Sequence, residues 1–114
     1  MNLFELLRQS HAVQRRLCSR LMSARSSRRQ RTAAFLLLKV ELQAHAAAEE
    51  RHLYAPLLMK DAGLNSSRHA LAEHHEIDEL CEALSVPDKG GDEWLQTVAK
   101  LCERVRHHLK EEER

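Results

Sequence analysis

Two of the places where a histidine is followed four residues later by a glutamate are the part of this sequence best suited to chemistry. They read HAAAE at His45 and Glu49, and HLKEE at His108 and Glu112. On a helix, residues four apart lie on the same face, one turn from each other. Each imidazole and its carboxylate can therefore reach a single ion, so the pattern predicts a metal site built on helices.

An internal repeat adds two more histidines to this set. One constant interval superposes the first half of the chain on the second and pairs these residues: His11 with His74, His45 with His108, Glu49 with Glu112, and Cys18 with Cys81. The adjacent His75 and His107 break the match. We therefore interpret the paired histidines and glutamates as candidate ligands carried by two related helical hairpins.

Breaks in the apolar periodicity divide the chain into the helices that must position these residues. Gly63 and Asn65 suit a helix stop and a new start, and Asp92 is a predicted N-cap. In each helix, one candidate histidine falls on the apolar stripe that should face the core. The predicted helices lie near 2–23, 29–60, 66–85 and 92–113.

Short connections make sequential helices antiparallel neighbours. The predicted fold is thus all-α, an antiparallel up-down-up-down four-helix bundle. It is built from two similar helical hairpins, approximately 2–60 and 66–113, in a single domain spanning 1–114. The composition agrees, since the 114 residues include only 3 Gly and 2 Pro.

Charge, hydropathy and cysteine usage exclude several classes of protein. The net charge of +1 predicts no nucleic-acid partner. The apolar runs are too short to span a bilayer, so no membrane partner is expected, and no secretory signal opens the chain. Cys18, Cys81 and Cys102 are scattered and odd in number, which argues against a disulfide framework and predicts a reducing, cytoplasmic location.

Four imidazoles and two carboxylates suit two ions bridged by carboxylates. Imidazole accepts iron, copper, nickel or zinc, whereas carboxylates favour iron or manganese. A lone core histidine is usually a hydrogen-bonded structural residue, but four on four helices reverse that balance. Burying two carboxylates without a cation would cost several kcal/mol. The predicted ligands are His11, His45, Glu49, His74, His108 and Glu112.

Two residues near these ligands keep alternative roles. Asp78, one turn after His74, is an additional ligand, a hydrogen-bond partner of a ligand, or a solvated acid. His52, close after Glu49, is interpreted as a supporting or packing residue. Because Glu112 lies near the last residue, where helices fray, we expect the second hairpin to hold its ligands less well. The remaining charged neighbours are interpreted as surface residues: His69, His75, His107, Glu111 and Glu113.

These segments resemble the hemerythrin-like, or HHE cation-binding, family. The resemblance rests on SHAVQRRL around His11, LQAHAAAEERHLYAPLL around His45, EHHEIDEL around His74 and VRHHLKEEE around His108. These segments occur in order and cover nearly the whole chain. The resemblance implies an antiparallel four-helix bundle that holds two iron ions in an oxo- or hydroxo-bridged centre, with manganese or zinc as substitutes.

The pattern departs from that of the oxygen-carrying members of the family. Those proteins have HxxxH on the third helix and an aspartate-containing motif on the fourth. Here Asp78 takes the place of the second of those histidines, and the fourth helix carries HxxxE. The set of four histidines and two glutamates is more similar to that of bacterial HHE proteins, including the iron–sulfur cluster repair group.

Three functions follow as alternatives. The first is a metal-binding protein with a non-haem di-iron centre that binds or senses oxygen, nitric oxide or peroxide. The second is iron–sulfur cluster repair, iron donation, or peroxide or nitric oxide stress turnover, which requires catalysis or metal release. The third is a metal-free helical interaction module, for which a homodimer through helix faces is one arrangement. We expect binding or sensing of a diatomic gas or peroxide rather than dedicated enzymatic catalysis.

Overall fold

The computed structural model describes residues 2–54, 56, 64–87 and 90–113. Within these ranges the chain forms long α-helices and no strand, which confirms the predicted all-α four-helix fold. A π-helical turn, Glu50–Tyr54, continues directly from the second helix. The four helices are α1 (Leu3–Met22), α2 (Arg28–Glu49), α3 (Leu64–Leu84) and α4 (Asp92–Glu112).

Local side-chain caps begin the first two helices. The Asn2 side chain accepts a hydrogen bond of 2.9 Å from the Glu5 backbone N–H at the start of α1. At the start of α2, Ser27 and Gln30 form a reciprocal capping box. These contacts satisfy backbone donors that the first turn of a helix leaves free, so both starts are determined by local sequence.

The predicted N-cap of α4 is wrong. Gly91 occupies the cap position in an extended conformation and offers no side-chain cap, and Asp92 is already the first helical residue. Asp92 and Glu93 instead lie in the first turn, where negative charge stabilises the positive end of the helix dipole. Asn65 lies inside α3, which begins two residues earlier than predicted, and Gly63 and the predicted end of the second helix at 57–60 lie outside the described residues.

The helices pack as two pairs, α1 against α2 and α3 against α4, and the pairs meet through α1–α4 and α2–α3. The order of contacts along α3 and α4 is informative. From the start of α3 to its end, His69 contacts Glu111, Glu76 contacts Arg104, and the Leu84 carbonyl accepts a hydrogen bond from the Trp94 indole. This is the order expected for antiparallel neighbours.

An apolar core fills the part of the bundle away from the candidate ligands. Its central members are fully buried, among them Phe35, Leu38 and Leu101. Phe35 meets Trp94 edge to face, with ring centroids 5.9 Å apart. This packing holds the four helices in register and thereby sets the relative height of the side chains one to three turns further along. In the described part of the chain, no helix is both long and apolar enough to cross a membrane.

We predict that Leu38→Ala lowers the free energy of unfolding by about 2–5 kcal/mol, because it opens a cavity in this core. The matched control is Leu37→Ala, since Leu38 is 0% exposed and its neighbour Leu37 is 57% exposed. The control should change stability by no more than about 0.5 kcal/mol. Chemical denaturation with a chelator present would measure both, and equal losses would contradict the assigned helix face.

Candidate metal centre

Each of the four helices contributes one histidine to a polar cluster inside the bundle. The four side chains are buried, with 4% to 6% of each residue exposed. Two glutamates accompany them, Glu49 at the end of α2 and Glu112 at the end of α4. Glu49 is 0% exposed, so its carboxylate has lost its water and depends on the groups around it. The four histidines are His11 from α1, His45 from α2, His74 from α3 and His108 from α4.

The first group of converging ligand atoms belongs to the first hairpin and to Glu112. His45 Nε2 lies 3.2 Å from Glu49 Oε1 and 3.8 Å from Glu112 Oε2. His11 Nε2 lies 3.3 Å from Glu112 Oε2. The ligand atoms of these four residues all lie within 4.8 Å of one another, close enough to surround one ion.

The second group mirrors the first and contains the same two glutamates. His74 Nε2 lies 3.1 Å from Glu49 Oε1 and 3.2 Å from His108 Nε2. His108 Nε2 contacts Glu112 Oε1. The His74 and His108 ring centroids are 4.9 Å apart, the same separation as for the two rings of the first group. Both glutamates therefore lie between the two histidine pairs, as bridging carboxylates would.

Unsatisfied polar atoms concentrate in this cluster. Among the described residues, His11 Nε2, both ring nitrogens of His45, Glu49 Oε2 and Glu112 Oε1 are buried without a hydrogen-bond partner. The imidazole and carboxylate atoms approach closely but lack the alignment of hydrogen bonds. Buried polar atoms are normally paired. Nitrogen and oxygen lone pairs that converge in this way fit a cation, so the residues present suit a bound metal.

Three further carboxylates hold the candidate ligands from behind. The outward Nδ1 atom of His11 lies 2.9 Å from Glu113, that of His74 lies 3.1 Å from Glu50, and that of His108 lies 2.8 Å from Glu73. A carboxylate on Nδ1 favours the tautomer with a free Nε2 lone pair and orients the ring. The three rings are thus aimed at the centre by their outer contacts.

Sequence reasoning did not assign these outer carboxylates, although two of them carried a signal. Glu50 and Glu113 directly follow the two candidate glutamates and are related by the same internal repeat. Glu113 is exposed, as expected, yet its carboxylate also accepts hydrogen bonds from the two terminal guanidinium nitrogens of Arg15, at 2.6 Å and 2.9 Å. Glu113 therefore anchors the chain next to Glu112 to α1. The expectation that the second hairpin holds its ligands less well did not take this contact into account.

The third outer carboxylate shows where the repeat is broken. Glu73 holds His108, and its repeat-equivalent in the first hairpin is Ser10. Ser10 donates instead to Glu41 at 2.6 Å, and among the described residues His45 Nδ1 has no partner. The ring of His45 is consequently the least constrained of the four.

The π-helical turn explains the position of His52. In an α-helix His52 would lie on the same face as Glu49, but the wider i→i+5 turn brings the fifth residue to that face instead. His52 is exposed, whereas Tyr54 is buried with its ring centroid 5.9 Å from that of His74. Asp78 is also exposed. The structure brings neither His52 nor Asp78 into the two groups of converging atoms.

Charge compensation governs the protonation of the cluster in the metal-free protein. Burial alone would lower the pKa of His45, but contacts with Glu112 and Glu49 outweigh it and raise the pKa to about 9. In His108 burial is likewise outweighed by Glu112, Glu49 and Glu73, and the pKa rises to about 10. Burial would raise the pKa of Glu49 and Glu112, yet the surrounding imidazoles lower both. Without a metal, protons on the histidines therefore balance the buried carboxylates.

We predict that the metal-free protein is most stable between about pH 4.5 and 6.5. His45 and His108 have raised pKa values in the folded state, so their stabilisation is complete below the ordinary value of 6.5 and is lost as the pH rises towards 9 and 10. Glu49 and Glu112 have lowered pKa values, so the stabilisation that they contribute is complete above pH 4.5 and is lost on acidification. Denaturation in chelator across this range measures the profile, and greater stability near pH 9 than inside the window would contradict it. Substitution of the exposed His75 should leave the profile unchanged.

The comparisons with known proteins agree with this geometry. The model of the hemerythrin HHE cation binding domain family matches residues 2–114, which span all the candidate ligands. No curated protein and no solved structure matches the chain. The resemblance predicted from the sequence is confirmed. The chain belongs to the hemerythrin HHE cation binding domain family, and its buried histidine and glutamate groups can hold metal.

Proposed function

We propose that this protein holds two iron ions in its buried cluster and uses them to bind or sense oxygen, nitric oxide or peroxide. The observation that carries the proposal is the sharing of Glu49 and Glu112 by two separate histidine pairs. A site for one ion would not need two such pairs. Two ions side by side, each with its own histidines, would use both carboxylates as bridges.

The donor set supports iron over a structural zinc ion. The candidate ligands are imidazole nitrogens and carboxylate oxygens, a mixture that suits iron or manganese, with zinc as a further substitute. Thiolates would favour zinc, but Cys18, Cys81 and Cys102 are free and buried in the apolar core. When bound, a pair of iron ions supplies one-electron redox changes and an open position for a small ligand.

A cavity supports access of a small ligand from one side. It has a volume of about 490 Å³ and reaches His11, Glu49 and Glu112 past the apolar side chains of Leu7 and Leu53. The pocket that touches the other three histidines, His45, His74 and His108, is far smaller, with a volume of about 10 Å³. A small ligand would thus approach the centre beside His11, through a cavity whose lining also includes the charged side chains of Arg8 and Glu113.

The surrounding residues orient the candidate ligands and limit the charge beside them. Outer carboxylates fix the rings of His11, His74 and His108, so that the ligands need little movement when a metal binds. The phenol of Tyr54 packs against His74, and burial together with the Glu49 carboxylate raises its pKa. This phenol therefore stays protonated and adds no further charge beside the buried carboxylates.

We predict that anaerobic loading with ferrous iron gives about two ions per chain and that the loaded protein responds to a gas. Oxidation should produce near-ultraviolet absorption bands of a bridged iron pair. Oxygen or nitric oxide added to the ferrous form should change the optical spectrum. Elemental analysis and anaerobic titration measure these outcomes. If the spectrum of the iron-loaded protein changes with neither gas, the ligand-binding proposal is overturned. If the protein does not bind iron, the metal assignment is overturned.

We predict different iron losses for a residue in one group and a residue in both. His11→Ala should reduce bound iron by about half, because His11 contributes to the first group alone. Glu49→Gln keeps the side-chain size but removes a charge shared by both groups, so it should reduce iron further. His75→Ala, on the exposed face of α3, is the control and should bind as much iron as the natural protein. Greater iron retention by Glu49→Gln than by His11→Ala would contradict the bridging role.

A further inference from the structure

We propose that His69, Glu73, His107 and Glu111 form a separate, outer site for a divalent transition-metal ion of the zinc class. We call these four residues the outer cluster. It lies on the surface between α3 and α4, outside the two groups that converge in the bundle core. The two histidines are exposed, with 62% and 56% of their side chains accessible. The site assignment does not depend on which metal fills the core centre or on its function.

The outer cluster is built from two facing copies of the HxxxE pattern. His69 and Glu73 lie one turn apart on α3, and His107 and Glu111 lie one turn apart on α4. Contacts cross between the helices in both directions. His69 Nε2 lies 3.0 Å from Glu111 Oε2, and His107 Nε2 lies 3.9 Å from Glu73 Oε2. His69, Glu73 and Glu111 thus offer ligand atoms that all lie within 4.8 Å of one another. His107 contacts the other oxygen of each glutamate and flanks this group on α4.

The spacing of the atoms around His69 fits part of a tetrahedral metal site. With metal–ligand bonds of about 2.1 Å, neighbouring ligand atoms in a tetrahedron lie about 3.4 Å apart. His69 Nε2 lies 3.0 Å from Glu111 Oε2 and 3.6 Å from Glu73 Oε1, and these two separations bracket that value. Two imidazoles and two carboxylates suit zinc or a similar ion better than calcium or magnesium, which prefer oxygen ligands alone.

One of the four residues is held in place before any ion binds. Glu73 has a largely buried side chain, 14% exposed, and its Oε1 accepts a hydrogen bond of 2.8 Å from His108 Nδ1. Its other oxygen, Oε2, is the atom that faces His107. Glu111 lies between the two histidines and contacts each of them at 3.0 Å. Glu73 is thus already oriented, which lowers the entropic cost of closing the site.

The internal repeat does not account for the outer cluster. The corresponding positions of the first hairpin cannot bind a metal together, since they are Leu6, Ser10, Ala44 and Ala48. The ligating residues therefore occur on the second hairpin alone, as an addition to the shared core pattern. A third exposed HxxxE pair, His75 and Glu79 on α3, lies in no group of converging ligand atoms among the described residues. It provides a control of the same composition.

The test compares the zinc capacity of the full chain with that of the double variant His69→Ala/His107→Ala. Glu73 is left intact because it also holds His108. Zinc is titrated into each protein, either iron-loaded or metal-free, and the bound equivalents are counted after desalting. The double variant should bind one equivalent fewer than the natural protein in the same state. Since the readout is a difference, it holds whether the core centre takes up two ions, one or none, and so it is independent of the proposed function.

Two further measurements complete the design. His75→Ala/Glu79→Ala should retain the full zinc capacity, which separates site loss from a general loss of surface charge. Cobalt added as a spectroscopic probe should give the strong visible bands of a four-coordinate ion, and these bands should weaken in the double variant. Circular dichroism checks that each variant folds, which the exposure of the substituted histidines favours. Equal zinc capacity in the natural protein and the double variant would mean that the outer cluster holds ion pairs alone, and would overturn the proposal.

Discussion

The burial of two carboxylates inside a helical bundle is the constraint on which the rest of this structure depends. Glu49 is completely buried and Glu112 nearly so, and either one alone would cost several kcal/mol without compensation. Four imidazoles surround them and compensate the charge, either as protonated rings or as ligands of a shared cation. Each of the four helices supplies one of these rings. The four-helix architecture and the composition of the centre therefore both serve to compensate the buried carboxylate charge.

The apolar core and the polar cluster divide the bundle between them. Around Phe35, Leu38 and Trp94, close packing determines how the helices lie against one another. That packing positions His45 and Glu49 further along α2. Without a cation or protons, the atoms of the polar cluster would repel one another. The rigid apolar core supports the cluster and keeps its ligand atoms within reach of one another.

The two hairpins share a pattern but have acquired different surroundings. In the first hairpin, a cavity reaches the centre beside His11. In the second hairpin, the carboxylate of Glu73 accepts a hydrogen bond from the outward Nδ1 atom of His108. The same carboxylate belongs to the outer cluster, which the first hairpin lacks. His45, whose outer nitrogen has no partner among the described residues, is the least restrained ring. Such asymmetry would give two chemically distinct positions within a centre that the sequence repeat presents as symmetric.

The sequence by itself determined the features that depend on local periodicity. The apolar stripes and the internal repeat selected His74 over His75 and His108 over His107, because residues one turn apart must share a helix face. Tertiary structure decided the contacts made between helices, such as those of Glu73 with His108 and His69 with Glu111. It also decided the wider turn after Glu49, which brings Tyr54 rather than His52 to the helix face that carries Glu49. No spacing along one helix encodes these outcomes, since they arise from the relative height and rotation of helices packed against each other.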